Sequence, residues 1–160
     1  MNKKTIITTF VVGIIASIVF ILIQPVFGMS SLTSRHAAAY VNFGGYSEIG
    51  ALLLSWFVHI SVSIAYTILS ILIFSLNSTW SVNTIQILVL GWITTLIATP
   101  ANEFVVKLVT TEKFPALSSL SAVNTDVGPK LWLHIIFFAF IVAGLWVSRL
   151  KSASLETVKI

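Results

Sequence analysis

Two histidines, His59 and His134, stand inside long apolar runs of this 160-residue chain and are the side chains best suited to chemistry. An imidazole with an unperturbed pKa near ~6.5 exchanges protons close to physiological pH, and an ionisable residue within a membrane span is a functional candidate by default. Coupled to Glu103 and Tyr66, the two imidazoles would change charge as the outside acidifies and bias a helix bundle between two states. A second chemistry is ligation, because imidazoles on different helices of a bundle can hold a haem or a transition metal. No His-Glu-x-x-His spacing supports it. The plain alternative is that each histidine is a hydrogen-bonded core residue. The sequence leaves all three open; the leading one requires no cofactor, with haem or a metal as the alternative.

Other chemistry has no residues to perform it. There is no Gly-x-x-x-x-Gly-Lys phosphate loop, no Gly-x-Ser-x-Gly elbow and no pair of intramembrane aspartates. The absence of cysteine removes thiolate nucleophiles, disulfides and cysteine metal sites. A non-enzymatic protein is expected, with a subunit of a larger membrane complex as the alternative.

The elements that would position the histidines are long and apolar. The chain is 57% hydrophobic and only 9% charged, against roughly 25% charged residues in soluble domains, so an aqueous surface cannot be covered and the bilayer is the expected partner. The net charge of +4 is spread over Lys3, Lys4, Arg35, Lys107, Lys113, Lys130, Arg149, Lys151 and Lys159. No basic face forms, so no nucleic-acid binding is expected. Apolar length predicts one all-α domain over 1–160, an integral membrane antiparallel four-helix bundle with spans near 6–27, 49–76, 83–103 and 130–148. Long loops at 28–48 and 104–129 separate them. The first span reads as an uncleaved signal anchor, since its apolar run exceeds a signal peptide's and no Ala-x-Ala-like site follows. Pro100 is expected to end or kink the third helix, with helical pattern resuming after it. Pro129 suits the first turn of the last helix. Lys3 and Lys4 before the first span, and Arg149, Lys151 and Lys159 after the last, predict that both termini are cytoplasmic, against Lys107, Lys113 and Lys130 in the third loop.

Polar residues within the spans predict which faces look inward. At 100° per residue, Ser55, His59, Ser63, Tyr66 and Ser70 fall within about 80° of one another. Thr9, Gly13, Ser17 and Gln24 share a face of the first helix, and Gly91, Thr95 and Thr99 recur at steps of four on the third. Small and hydroxylated residues at this spacing also serve close helix packing, so such seams need no further function. With the termini inside, Gln24, Asn102, Glu103 and His134 lie near the outer helix ends. His59 then sits roughly 12–15 Å deep, counted from Ile49, and His134 about 6 Å. Arg35, His36 and Glu48 read as solvated loop residues, with His36 a further candidate for an outer site, and Gly44-Gly45 reads as a turn. Asn77-Ser78-Thr79 matches a glycosylation acceptor but falls in a short loop placed inside. Self-association or partners in a membrane complex stay open.

The run Ser55-Trp56-Phe57-Val58-His59-Ile60-Ser61-Val62-Ser63-Ile64-Ala65-Tyr66 resembles the corresponding helix of the YagU-like inner-membrane proteins. Trp92 ahead of Pro100, and Leu131-Trp132-Leu133-His134 opening the last span, fit the same order. The chain departs from that pattern between Trp92 and Pro100, which holds threonines and no histidine. The resemblance implies a small inner-membrane protein linked to acid tolerance, with no defined reaction.

Overall fold

The computed structural model describes residues 3–126 and 128–157. The described residues are helical or loop, with no strand. Helix α1 (Lys3–Ile23) ends in a 3-10 turn over Gln24–Phe27. Then follow α2 (Leu32–Gly44), α3 (Glu48–Leu76), α4 (Trp80–Thr111) and α5 (Gly128–Thr157). Four stretches, Lys3–Phe27, Glu48–Leu76, Trp80–Thr111 and Gly128–Arg149, are long and apolar enough to cross a membrane.

Helix α2 corrects the expectation of a loop over 28–48. Its ends are written locally. The Ser31 hydroxyl accepts from the Ser34 amide at 3.2 Å as N-cap. Gly45, at φ 66°, closes the helix by donating toward the Tyr40 and Val41 carbonyls, the left-handed stop that glycine favours. Thirteen residues are too few to cross a bilayer, which is why a search for apolar length passes over this helix. Ser47 caps α3 in the same way through the Gly50 amide, with Glu48 in the first turn where the helix dipole favours a negative charge.

Pro100 does not end its helix. α4 runs unbroken from Trp80 to Thr111 with Pro100 inside it. A proline at this position leaves the carbonyl four residues earlier without its intrahelical donor. That carbonyl belongs to Leu96, and the backbone amide of Asn124 donates to it at 2.7 Å. The following segment therefore folds back along α4: the Lys107 ammonium donates to the Ser119 carbonyl, and Ser121 donates to Glu103 through its amide and hydroxyl. Residues 112–126 thus lie alongside α4, while the helix takes up 104–111 of the segment expected as loop.

α4 packs on α5, α1 packs on both α3 and α5, and α2 lies across α3 and α4. The apolar core joins Val12, Ala16, Phe20 and Ile21 of α1 to Leu133, Phe137, Phe138, Ile141 and Leu145 of α5. Elsewhere the usual arrangement is inverted. Leu22, Leu53, Phe57, Ile85 and Trp132 are exposed, whereas Thr9, Ser17, Gln24, Ser55, Ser63, Thr67, Ser70, Asn83, Gln86 and Thr95 are buried. Two glycines bring helix axes close. A β-carbon on Gly13 would lie 3.0 Å from the Ile64 Cα, and one on Gly91 would lie 3.1 Å from the Ile135 amide nitrogen.

Candidate functional site

His59 on α3 and His134 on α5 line one cavity of about 110 Å³, together with Phe20, Ser63, Tyr66 and Asn102. Both are 8% exposed. Phe20 links them, its ring centroid 5.4 Å from that of His59 and 5.6 Å from that of His134. The helical repeat explains the convergence: Ser55, His59 and Ser63 follow at steps of four on one buried face of α3, and His134 is followed by Phe138 and Ile141 on the buried face of α5.

The hydrogen bonds fix which nitrogen of each ring carries the proton. His59 Nε2 lies 3.3 Å from the Ser17 carbonyl, which can only accept, so Nε2 donates and Nδ1 keeps its lone pair. The single proton of the Thr95 hydroxyl goes to the Gly91 carbonyl at 2.7 Å. At 2.9 Å from that hydroxyl, Nδ1 of His134 is then the donor, and Nε2 keeps the lone pair. Each neutral imidazole is thus anchored to a neighbouring helix through one nitrogen, and His134 is also hydrogen-bonded to the Lys130 backbone of its own helix. A site of roughly 10–15 Å³ is enough for one water, so the cavity has room for several. Pockets for drug-sized ligands start at roughly 300 Å³, well above it.

Of the other residues expected here, Tyr66 lines the same cavity and is half-buried, its ring edge-on to Phe137 and Phe138 with centroids 6.2 and 5.3 Å away. Ser63 lines it as well. Thr99 and Gln24 line a smaller neighbouring cavity of about 70 Å³ that also touches His134, Lys130 and Arg35. Gln24 has a structural task, since its Oε1 accepts from the Leu32 amide at 2.6 Å at the start of α2. Ser55 donates to the Leu52 carbonyl within its own helix, and the Ser70 hydroxyl is buried without a partner.

Glu103 does not join the histidines. Its carboxylate accepts from Ser121 and lines a different cavity, of about 530 Å³, between α2 and α4. Among the described residues no group of three His, Cys, Asp or Glu side chains comes together as a metal site would require.

His36 corrects the reading of its segment as solvated loop. Arg35 and Glu48 are exposed, but His36 is only 7% exposed, and its Nε2 is buried without a partner. Burial, then the Arg35 guanidinium, then His59, push its pKa down to about 4. Tyr40, 6.0 Å from His36 between ring centroids, is fully buried and is pushed up by burial and by Tyr46. The signal for both was helical spacing within 28–48: Thr33, His36 and Tyr40 recur at steps of three and four between a serine cap and a glycine pair. Leu32 and Asn102 wall all three cavities, so the wide one at the α2–α4 surface and the narrow one at the histidines are separated by the same two side chains.

Thr67, Asn83, Gln86 and Thr94 are further buried polar residues that reading the seams by their serines and glycines overlooked. Both polar atoms of Gln86 and Oδ1 of Asn83 lack partners. Comparison of the chain with protein-family models, with curated proteins and with solved structures gives no match.

Proposed function

We propose that this chain is a multi-pass membrane protein whose histidine-lined interior responds to protons, and that it is not an enzyme. The observation carrying this reading is the single cavity that His59 and His134 both line, each ring anchored to a neighbouring helix through one nitrogen. A proton arriving on either ring puts a charge among Phe20, Phe137 and the helix backbones, and burying a charge without a partner is costly. The bundle lowers that cost by admitting water or by separating helices, so proton binding and helix packing are linked.

Membrane insertion is supported by the inverted pattern of exposed apolar and buried polar side chains and by the four long apolar helices. An antiparallel bundle is supported by contacts at both ends. Thr8 meets Ser148 at 2.9 Å, whereas Phe20, at the other end of α1, meets His134 near the start of α5. Arg149 donates to Ser78 and lies 5.9 Å from the Phe74 ring, gathering the α3–α4 turn to the end where α1 begins. With Lys3 and Lys4 there too, that end is the cytoplasmic one in this proposal, with the protein in an inner or plasma membrane. A YagU-like relationship and a role in acid tolerance agree with proton sensing and rest on the sequence resemblance alone. A haem or metal subunit is the second reading, because two imidazoles from different helices line one space; a haem would need that space to expand several-fold.

Because the chain has no cysteine, single substitutions report topology cleanly. Ala38→Cys and Ser121→Cys are expected to react with an impermeant maleimide added outside intact cells, and Asn77→Cys only after permeabilisation. Labelling of all three from one side contradicts the bundle. His59→Gln/His134→Gln is expected to abolish a pH-dependent change in helix packing, and an absorption spectrum with elemental analysis of the purified protein separates this reading from the haem or metal one.

A further inference from the structure

The wide cavity between α2 and α4 has a second character. Its volume of about 530 Å³ lies in the roughly 300–1,000 Å³ range of small-molecule sites. Leu32, Ala39, Phe43 and Val106 give it apolar walls, and Arg35 and Lys107 stand on its lining. Among the described residues the one carboxylate on that lining, Glu103, is turned to Ser121, and Lys107 donates to Ser119. Among the described residues the Arg35 side chain has no counter-ion, hydrogen bond or ion pair. Next to it, His36 lines the same space with its Nε2 buried and unpartnered. Phe43 is 75% exposed beside the cavity, an apolar side chain left uncovered at its rim.

We infer that this cavity binds an acyl-chain amphiphile with an anionic head, the Arg35 guanidinium holding the carboxylate or phosphate and the α2–α4 walls holding the chain. Guanidinium presents paired N–H donors that match two oxygens of either anion. The chain supplies affinity through burial of its methylenes. This site needs no proton chemistry at His59 or His134, so it stands or falls separately from the reading above.

Native mass spectrometry of the intact protein released from a non-ionic detergent tests it, with palmitate, hexadecanol and inorganic phosphate as separate probes. Wild type is expected to retain a single palmitate, and Arg35→Gln and Ala39→Trp each to lower that occupancy at least tenfold. Hexadecanol and inorganic phosphate are expected to be retained at least tenfold less than palmitate, because each lacks half of the recognised structure. The mass of any adduct that copurifies distinguishes a free fatty acid from an acidic phospholipid as the natural source of the head group. Palmitate retention unchanged by Arg35→Gln, or hexadecanol or phosphate held as well as palmitate, overturns the proposal. Arg35 is exposed, so its variant folds as a control even if Ala39→Trp does not.

Discussion

The backbone amide of Asn124 donates to the carbonyl of Leu96 at 2.7 Å, filling the vacancy that Pro100 leaves in α4. One bond thus explains how a proline is kept inside a 32-residue helix and why the segment after that helix returns along it. From Lys107 to Leu96 the anchors of that segment climb about 16 Å at 1.5 Å per residue. Asn124→Pro removes the donor without adding bulk to the helix. It is expected to destabilise the protein by roughly 1–3 kcal/mol, the cost of leaving the Leu96 carbonyl unpaired, and to raise protease cleavage between 112 and 126. Unchanged melting and cleavage would show that water replaces the amide at no cost.

His36 gives the chain a pH dependence of defined sign. Its folded pKa of about 4 lies below the ordinary value of 6.5, so between these values the unfolded chain binds more protons than the folded one. Stability contributed by the neutral ring is therefore full above about pH 6.5 and falls as the pH drops toward 4, by at most about 1.4 kcal/mol per unit. Chemical denaturation of wild type and His36→Gln across this range measures it. The variant is expected to show a flatter profile, and parallel profiles would mean that His36 is solvated.

Gly91 sets the distance between α4 and α5 at the level of His134. A β-carbon there would meet Cγ1, the amide nitrogen and Cα of Ile135 at 3.0, 3.1 and 3.2 Å, and two of these are backbone atoms that move only with their helix. Gly91→Ala is expected to cost roughly 1–3 kcal/mol by overpacking, measured as a lowered Tm in detergent, and to weaken the Thr95–His134 hydrogen bond. An unchanged Tm would mean that the two helices can part freely.

How much of this was legible in the sequence depended on the kind of signal. Apolar length located the four long helices within a few residues at most ends, because a long apolar run has few other readings. Of the residues that steps of three and four put on inward faces, Thr9, Ser17, Gln24, Ser55, His59, Ser63, Ser70 and Thr95 are buried, whereas Tyr66 and Thr99 are half-buried. Two things were not legible. Helix α2 is short and mixed in composition, and what stabilises it is packing on α3 and α4 together with its caps, so a search for apolar runs passes over it. The partner of the Leu96 carbonyl lies 28 positions away, and no local pattern links a proline to a loop amide at that separation. Glu103 illustrates the same limit: its helical position allowed an approach to the histidines, and Ser121 holds it elsewhere.

The central claim, that the His59–His134 cavity couples protons to helix packing, is tested most directly by hydrogen exchange of α3 and α5 in nanodiscs. Wild type, His36→Gln and His59→Gln/His134→Gln would be compared between about pH 7 and 4, the range that brackets ordinary and perturbed imidazoles, with intrinsic exchange rates corrected for pH. Protection around Ser63 and Phe138 is expected to fall at least tenfold on acidification in wild type and in His36→Gln, and to stay constant in the double variant. Constant protection in wild type, or the same loss in the double variant, would contradict the account and leave the two histidines as packing residues.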